Sequence, residues 1–190
     1  MNNSKHKIRD FLSKRNLSIF ILFGIVISAS IGLTIYNLQF IEQQINGNTE
    51  ISIKIYGNVK REVNITLTQL KSNYQQVINH RFYFINDFGN TWVDNYSGAV
   101  IWDIFNKENC LNPNSTRFRF EASDLYVSRN ILFSVVEQNP ELVLLAYERN
   151  GMPMGGEPDR GPIEGIVNRS LFPDWNTIYT AKHTVAIRVY

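Results

Sequence analysis

From Leu17 to Leu38 the chain reads LSIFILFGIVISASIGLTIYNL, apolar and small residues without a charged side chain. Coiled into a helix, this stretch spans about 33 Å at roughly 1.5 Å per residue, enough to cross the hydrocarbon core of a bilayer. The following QFIEQQINGNT is polar and ends in turn formers, which suits a short tether.

From Glu50 onward the periods shorten. Ile51 to Tyr56 (ISIKIY) and Glu62 to Leu67 (EVNITL) each alternate apolar with polar positions on either side of Gly57-Asn58, which predicts a β-hairpin. Thr66 or Thr68 then caps a short helical segment through Leu70 and Tyr74. Val77 to Ile85, β-branched and aromatic, predicts a strand that ends in the turn signal Asn86-Asp87-Phe88-Gly89-Asn90. The spacing of Val100, Ile101, Ile104 and Phe105 predicts a short amphipathic helix. Strands are also predicted at Arg117 to Ala122, at Glu141 to Glu148 before the turn pair Asn150-Gly151, and at Thr184 to Tyr190, which is expected to close the sheet. Tyr126 to Val136 reads as a mixed segment. Met152 to Gly165 carries Pro153, Pro158 and Pro162 among several glycines, which predicts a long structured loop without a regular element. Together these make an α+β fold: a mixed, curved β-sheet domain with short helices, preceded by one N-terminal transmembrane helix.

Charge adds an orientation. Lys5, Lys7, Arg9, Lys14 and Arg15 precede the apolar run, and no base follows it before Lys54. The positive-inside rule therefore predicts a single-pass cell-membrane protein with its N-terminus cytoplasmic and its C-terminal domain outside. The organisation expected is a basic cytoplasmic segment at 1–16, a transmembrane helix at 17–38, a linker at 39–49 and the domain at 50–190. Ser28, Ala29 and Ser30 allow a cleaved signal peptide instead, but the apolar pattern continues through Ile31, Leu33 and Ile35, which favours a retained anchor. Much of the formal net charge of +2 lies in the basic segment, so the domain is nearly neutral and shows no nucleic-acid footprint. Cys110 is the sole cysteine and the histidines are scattered at His6, His80 and His183. That excludes an intrachain disulfide, a cysteine-built zinc or iron–sulfur site and a histidine cluster.

Four blocks fall in a distinctive order: a strand and turn ending in Gly89-Asn90, then Tyr96-Ser97-Gly98-Ala99-Val100-Ile101-Trp102-Asp103-Ile104-Phe105, then Leu144-Leu145-Ala146-Tyr147-Glu148-Arg149-Asn150-Gly151-Met152-Pro153-Met154, then Gly161-Pro162-Ile163-Glu164-Gly165-Ile166-Val167. Their order resembles the sulfite-oxidase-type molybdopterin-binding domain, in which the last three read roughly W-x-G-V-P-L-x-D-L-L, L-A-Y-x-x-N-G-x-P-L and G-P-L-R-L-V-V-P. The resemblance covers essentially all of the outer domain and implies curved β-sheets. It also implies a cofactor face, and there the sequence departs. Family members bind molybdenum through the thiolate of a Cys-x-Gly-Asn turn, whereas this chain has Asp87-Phe88-Gly89-Asn90, and a carboxylate is a harder donor. The family's basic segment for the pterin phosphate is replaced by Arg169-Ser170-Leu171-Phe172-Pro173-Asp174-Trp175. The resemblance thus makes Asp87, Gly89, Asn90, Arg160 and Arg169 the candidate cofactor-binding residues, with no catalytic residue and no metal ligand assigned. No cofactor is expected from the residues themselves; molybdopterin enters through the resemblance alone.

Three functions stay open on these grounds. One is a divergent, non-catalytic domain binding a small ligand or a protein partner; another is an active molybdopterin-dependent oxidoreductase with a non-thiolate metal site; the last is a structural subunit docking a membrane redox complex. Other constellations are weaker. Asp94, Asp103 and Glu108 have no spacing that dictates convergence for acid–base work, and Trp92, Trp102 and Trp175 with Phe82 and Phe84 read as a ligand groove or as core. Asn64, Asn95, Asn114 and Asn168 head N-x-S/T sequons.

Overall fold

The structure, a computed structural model, describes residues 50–156 and 161–190. The predicted membrane helix, its basic flank and the linker lie outside the described residues. Among the described helices, none is long and apolar enough to cross a membrane.

The alternating segments form the expected hairpin. β1 (Ser52–Gly57) pairs antiparallel with β2 (Val63–Thr66), Ile53 facing Ile65. Ile53, Ile55, Val63 and Ile65 are buried while Lys54 and Asn64 point to solvent, as period-two patterning requires. Thr66 is the cap of α1 (Leu67–Ser72): its Oγ1 accepts from the Gln69 N–H at 3.1 Å, and Gln69 Oε1 accepts from the Thr66 N–H at 2.9 Å. This reciprocal box satisfies two donors that a helix start otherwise leaves unpaired.

β3 (Gln76–Ile85) turns at Asn86–Asn90 into β4 (Thr91–Val100), a strand that the sequence pattern does not reveal. Its second half is YSGAV, buried at every position, so no alternation marks it. α2 (Ile101–Glu108) follows directly and ends at Asn109, whose φ of 44° is left-handed, a conformation asparagine tolerates. β5 is Arg117–Ala122 as expected, and the mixed segment resolves into β6 (Ile131–Leu132) and α3 (Phe133–Gln138). β7 (Val143–Arg149) turns through Asn150-Gly151 into β8 (Met152–Pro153).

Two expectations need correction. The proline-rich stretch is not irregular throughout, because β8 opens it and Glu164 and Gly165 belong to β9 (Glu164–Val167), which pairs with β7. β10 (Thr184–Val189) does not close a sheet edge. It lies in the middle, parallel to β1 and antiparallel to β5.

The strands make two sheets, β2-β1-β10-β5-β6 and β3-β4-β7-β8, with β9 pairing the Val143–Ala146 part of β7 while β8 pairs its end at Glu148 and Arg149. Val143, Leu145 and Tyr147 enter a core shared with the first sheet, Leu70 of α1 and Ile104 and Phe105 of α2. Leu144 and Ala146 enter a second cluster with Phe82, Phe84, Tyr96, Val100, Met154 and Ile166. β7 is therefore buried on both faces, which accounts for its unbroken apolar run.

The sheets approach closely at Gly165. Its backbone exchanges hydrogen bonds with Ala181, at 3.0 and 2.8 Å, and a Cβ there would lie 2.5 Å from the ring of Phe120 on β5. Phe120 is fully buried and has little room to retreat. Gly165→Ala is expected to cost about 2 kcal/mol through overpacking, read as a lowered urea midpoint with an unchanged slope.

Candidate functional site

β3 is an edge strand, and its outer backbone is covered by the segment between β9 and β10. Asn176, fully buried, does most of this. Its Oδ1 accepts from the Ile85 N–H at 2.7 Å, and its Nδ2 donates to the carbonyls of Tyr83 and Val167 at 2.9 and 2.7 Å. The Arg169 N–H also donates to the Tyr83 carbonyl, and Asn168 Nδ2 donates to the Arg81 carbonyl. An edge that would otherwise invite intermolecular pairing is closed by side-chain and loop donors.

Beyond Ile85 the hairpin tip is organised by Asn86, whose Oδ1 accepts from the backbone N–H groups of Phe88 and Asn90 at 3.1 and 2.9 Å. Gly89 takes the left-handed position with φ of 79°. Asp87, Gly89 and Asn90 are exposed here, as is Phe88.

Two clefts border this scaffold. The first, about 370 Å³, is walled by Phe84 of β3 and Trp92 and Tyr96 of β4. Asp124 and Tyr126 join from the loop after β5, Glu164 from β9, and Thr177, Thr180 and Lys182 from the approach to β10. Phe84 and Trp92 stack with centroids 5.4 Å apart, and Tyr96 meets Phe84 edge-on at 5.8 Å. The second cleft, about 580 Å³, is bounded by Ile85, Arg129, Arg169, Trp175, Asp174 and the Phe172–Tyr179 stack, among others. Arg169 Nε donates to the Pro173 carbonyl at 3.3 Å.

Of the five candidate residues, Asp87, Gly89 and Asn90 share the hairpin tip, and neither cleft is lined by them. Arg169 faces the second cleft. Arg160 lies outside the described residues. The three acids considered for acid–base work have separate partners: Asp94 with Arg149 at 2.9 Å, Asp103 with Lys107 and the Gln75 N–H, Glu108 with Arg61 and the Tyr74 hydroxyl. The aromatic groove divides. Trp92 and Phe84 line the first cleft and Trp175 the second, while Phe82 is core and Trp102 packs on Phe133. Among the sequons, Asn64 and Asn114 are exposed whereas Asn168 is buried and bonded to Ser170. Tyr96, Tyr126, Asp124, Glu164 and Lys182 were not singled out by sequence reasoning. One signal was available for Glu164: it stands where G-P-L-R carries arginine.

The donors do not fit a molybdenum centre of the family's kind. The turn offers a solvated carboxyl, and among the described residues no three His, Cys, Asp or Glu side chains converge on a metal. The single thiol is elsewhere. Cys110 is fully buried in the core that α2 shares with the first sheet, and its carbonyl accepts from the Lys60 N–H at 2.7 Å. Burial pushes that thiol up from its ordinary range, which suppresses the thiolate that metal binding requires.

No family model and no curated protein matches the chain. Among solved structures, the sulfane dehydrogenase SoxCD from Paracoccus pantotrophus is similar, at a TM-score of 0.58 and 16% identity. The match covers 73% of this chain and 38% of that one, so the chain spans well under half the length of that relative. At this identity the likeness shows the fold alone.

Asn176→Leu removes the side-chain partner of the Ile85 N–H and of the Val167 carbonyl, and one of two donors to the Tyr83 carbonyl, and is expected to cost about 3 kcal/mol, measurable by chemical denaturation. Cys110 is expected to resist an aromatic disulfide reagent in the native protein at pH 8 and to react fully once urea unfolds the chain, which an absorbance assay reads directly.

Proposed function

We propose that this is a membrane-anchored protein whose outward-facing, sulfite-oxidase-like domain is divergent and non-catalytic, and binds a small ligand or a protein partner on the face that holds molybdopterin in the family. The fold likeness supports the scaffold. The reading is carried by one observation: the turn equivalent to the metal-ligating Cys-x-Gly-Asn presents Asp87 to solvent, and the only thiol is sealed in the core. A carboxyl oxygen there supplies neither the softness nor the charge donation of a thiolate. The anchor and orientation follow from the uncharged run at Leu17 to Leu38 and its basic flank. An outward domain on a short tether meets ligands or partners at the membrane surface.

Elemental analysis of protein purified from its native host is the test. Molybdenum and tungsten are expected well below one atom per chain. Near-stoichiometric metal overturns the reading in favour of a molybdopterin-dependent oxidoreductase with a non-thiolate site.

A further inference from the structure

The first sheet buries one face in the core and turns the other to solvent, and that outer face is basic and aromatic. Lys54 and Tyr56 stand on β1, Arg117 and Arg119 on β5, Arg188 on β10 and Tyr190 just beyond it. Tyr56 lies opposite Arg188, and Arg188 opposite Arg119. Two guanidiniums thus face each other across neighbouring strands, an arrangement that by itself costs stability. With Arg117 they surround the Tyr190 ring, at 5.7 Å for Arg117 and 5.3 Å for the other two. The acids of this face do not balance its bases. Glu62 pairs with Lys54, and Glu121 with Arg119 and the Tyr56 hydroxyl. Among the described residues, no carboxylate lies within ion-pair distance of Arg117 or Arg188. Leu132, opposite Arg117, adds an exposed apolar side chain.

We propose that this face docks on the anionic headgroups of the bilayer that carries the anchor. This rests on the reading of the chain as membrane-anchored with its domain outside, and adds the surface that meets the lipid. Guanidiniums bind phosphate oxygens through paired N–H donors, and tyrosines favour the headgroup level of a membrane. Bases near an anionic surface are attracted to it within a Debye length. The linker at 39–49 reaches at most about 40 Å when extended, roughly the diameter of a domain this size. It enters at β1, a strand of the same sheet. So short a tether gives individually weak contacts a high effective concentration.

The test uses the full chain in lipid nanodiscs that carry a nitroxide-headgroup lipid, in a matrix of phosphatidylcholine alone or with added phosphatidylglycerol. A fluorophore is attached at Asn64→Cys, beside Lys54, or at Val93→Cys, exposed on β4 of the other sheet; Cys110 is buried and stays unlabelled. With phosphatidylglycerol, quenching at position 64 is expected to rise at least threefold and quenching at position 93 to stay unchanged. Arg117→Gln combined with Arg188→Gln is expected to remove the rise, as is molar salt. Lys71→Gln combined with Arg81→Gln, two bases exposed elsewhere, is expected to keep it. Arg117 and Arg188 are exposed, so their replacement does not depend on core packing. Equal quenching of the two positions, indifference to lipid charge, or a rise that survives loss of both arginines overturns the proposal and leaves the face to an acidic protein. A chain that stays with the discs in size exclusion but fails these readouts loses the docking alone, whereas one that does not stay with them loses the anchor as well.

Discussion

Burial of β7 on both faces is the constraint from which the rest of the domain follows. Each of its large apolar side chains is worth about 1.5–3 kcal/mol when removed from water, and Val143 to Tyr147 places them alternately up and down. One side is covered by the first sheet and the helices α1 and α2. The other has a smaller cover, built from Phe82, Phe84, Tyr96, Met154 and Ile166. At the margin of that smaller cluster Phe84 and Tyr96 pass from core into the wall of the aromatic cleft. Core packing and the cleft wall therefore share side chains, and the cleft inherits the rigidity of the strands that form it.

The loop between β9 and β10 has two duties. Through Asn176 it satisfies the exposed backbone of β3, and through Arg169 and Trp175 it borders the basic cleft. The hairpin tip is held from within: Asn86 organises it by accepting from the backbone N–H groups of Phe88 and Asn90. A turn stabilised by its own side chain needs no partner outside itself to stay folded.

Strands with one wet face were legible in the sequence, because alternation appears only when one side meets water. β1, β2 and β5 read that way. β4 did not, since TWVDN alternates weakly and YSGAV is buried throughout. β9 was hidden for a different reason: its neighbouring prolines and glycines signal a loop, while Gly165 is there because the Phe120 ring leaves no room for a side chain. The central position of β10 depends on a partner far away in sequence, which local pattern does not carry. Of the site, the turn at Asn86–Asn90 and the aromatic character of Phe84 and Trp92 were visible. The convergence of Asp124, Tyr126 and Glu164 was not, because two elements far apart in sequence, the loop after β5 and strand β9, bring them together.

The parallel ladder between β1 and β10 has a kinetic meaning. Lys54 lies opposite Ala186 and Ile55 opposite Ile187, partners separated by most of the domain, so the loop they close is long and its entropy is lost late. Until that strand inserts, β1 and β5 each present an open edge toward the gap that β10 fills. Folding of the first sheet is thus slow relative to a local hairpin, and during the delay those edges are templates for pairing between chains. The domain therefore has most need of a chaperone in the interval before its middle strand arrives.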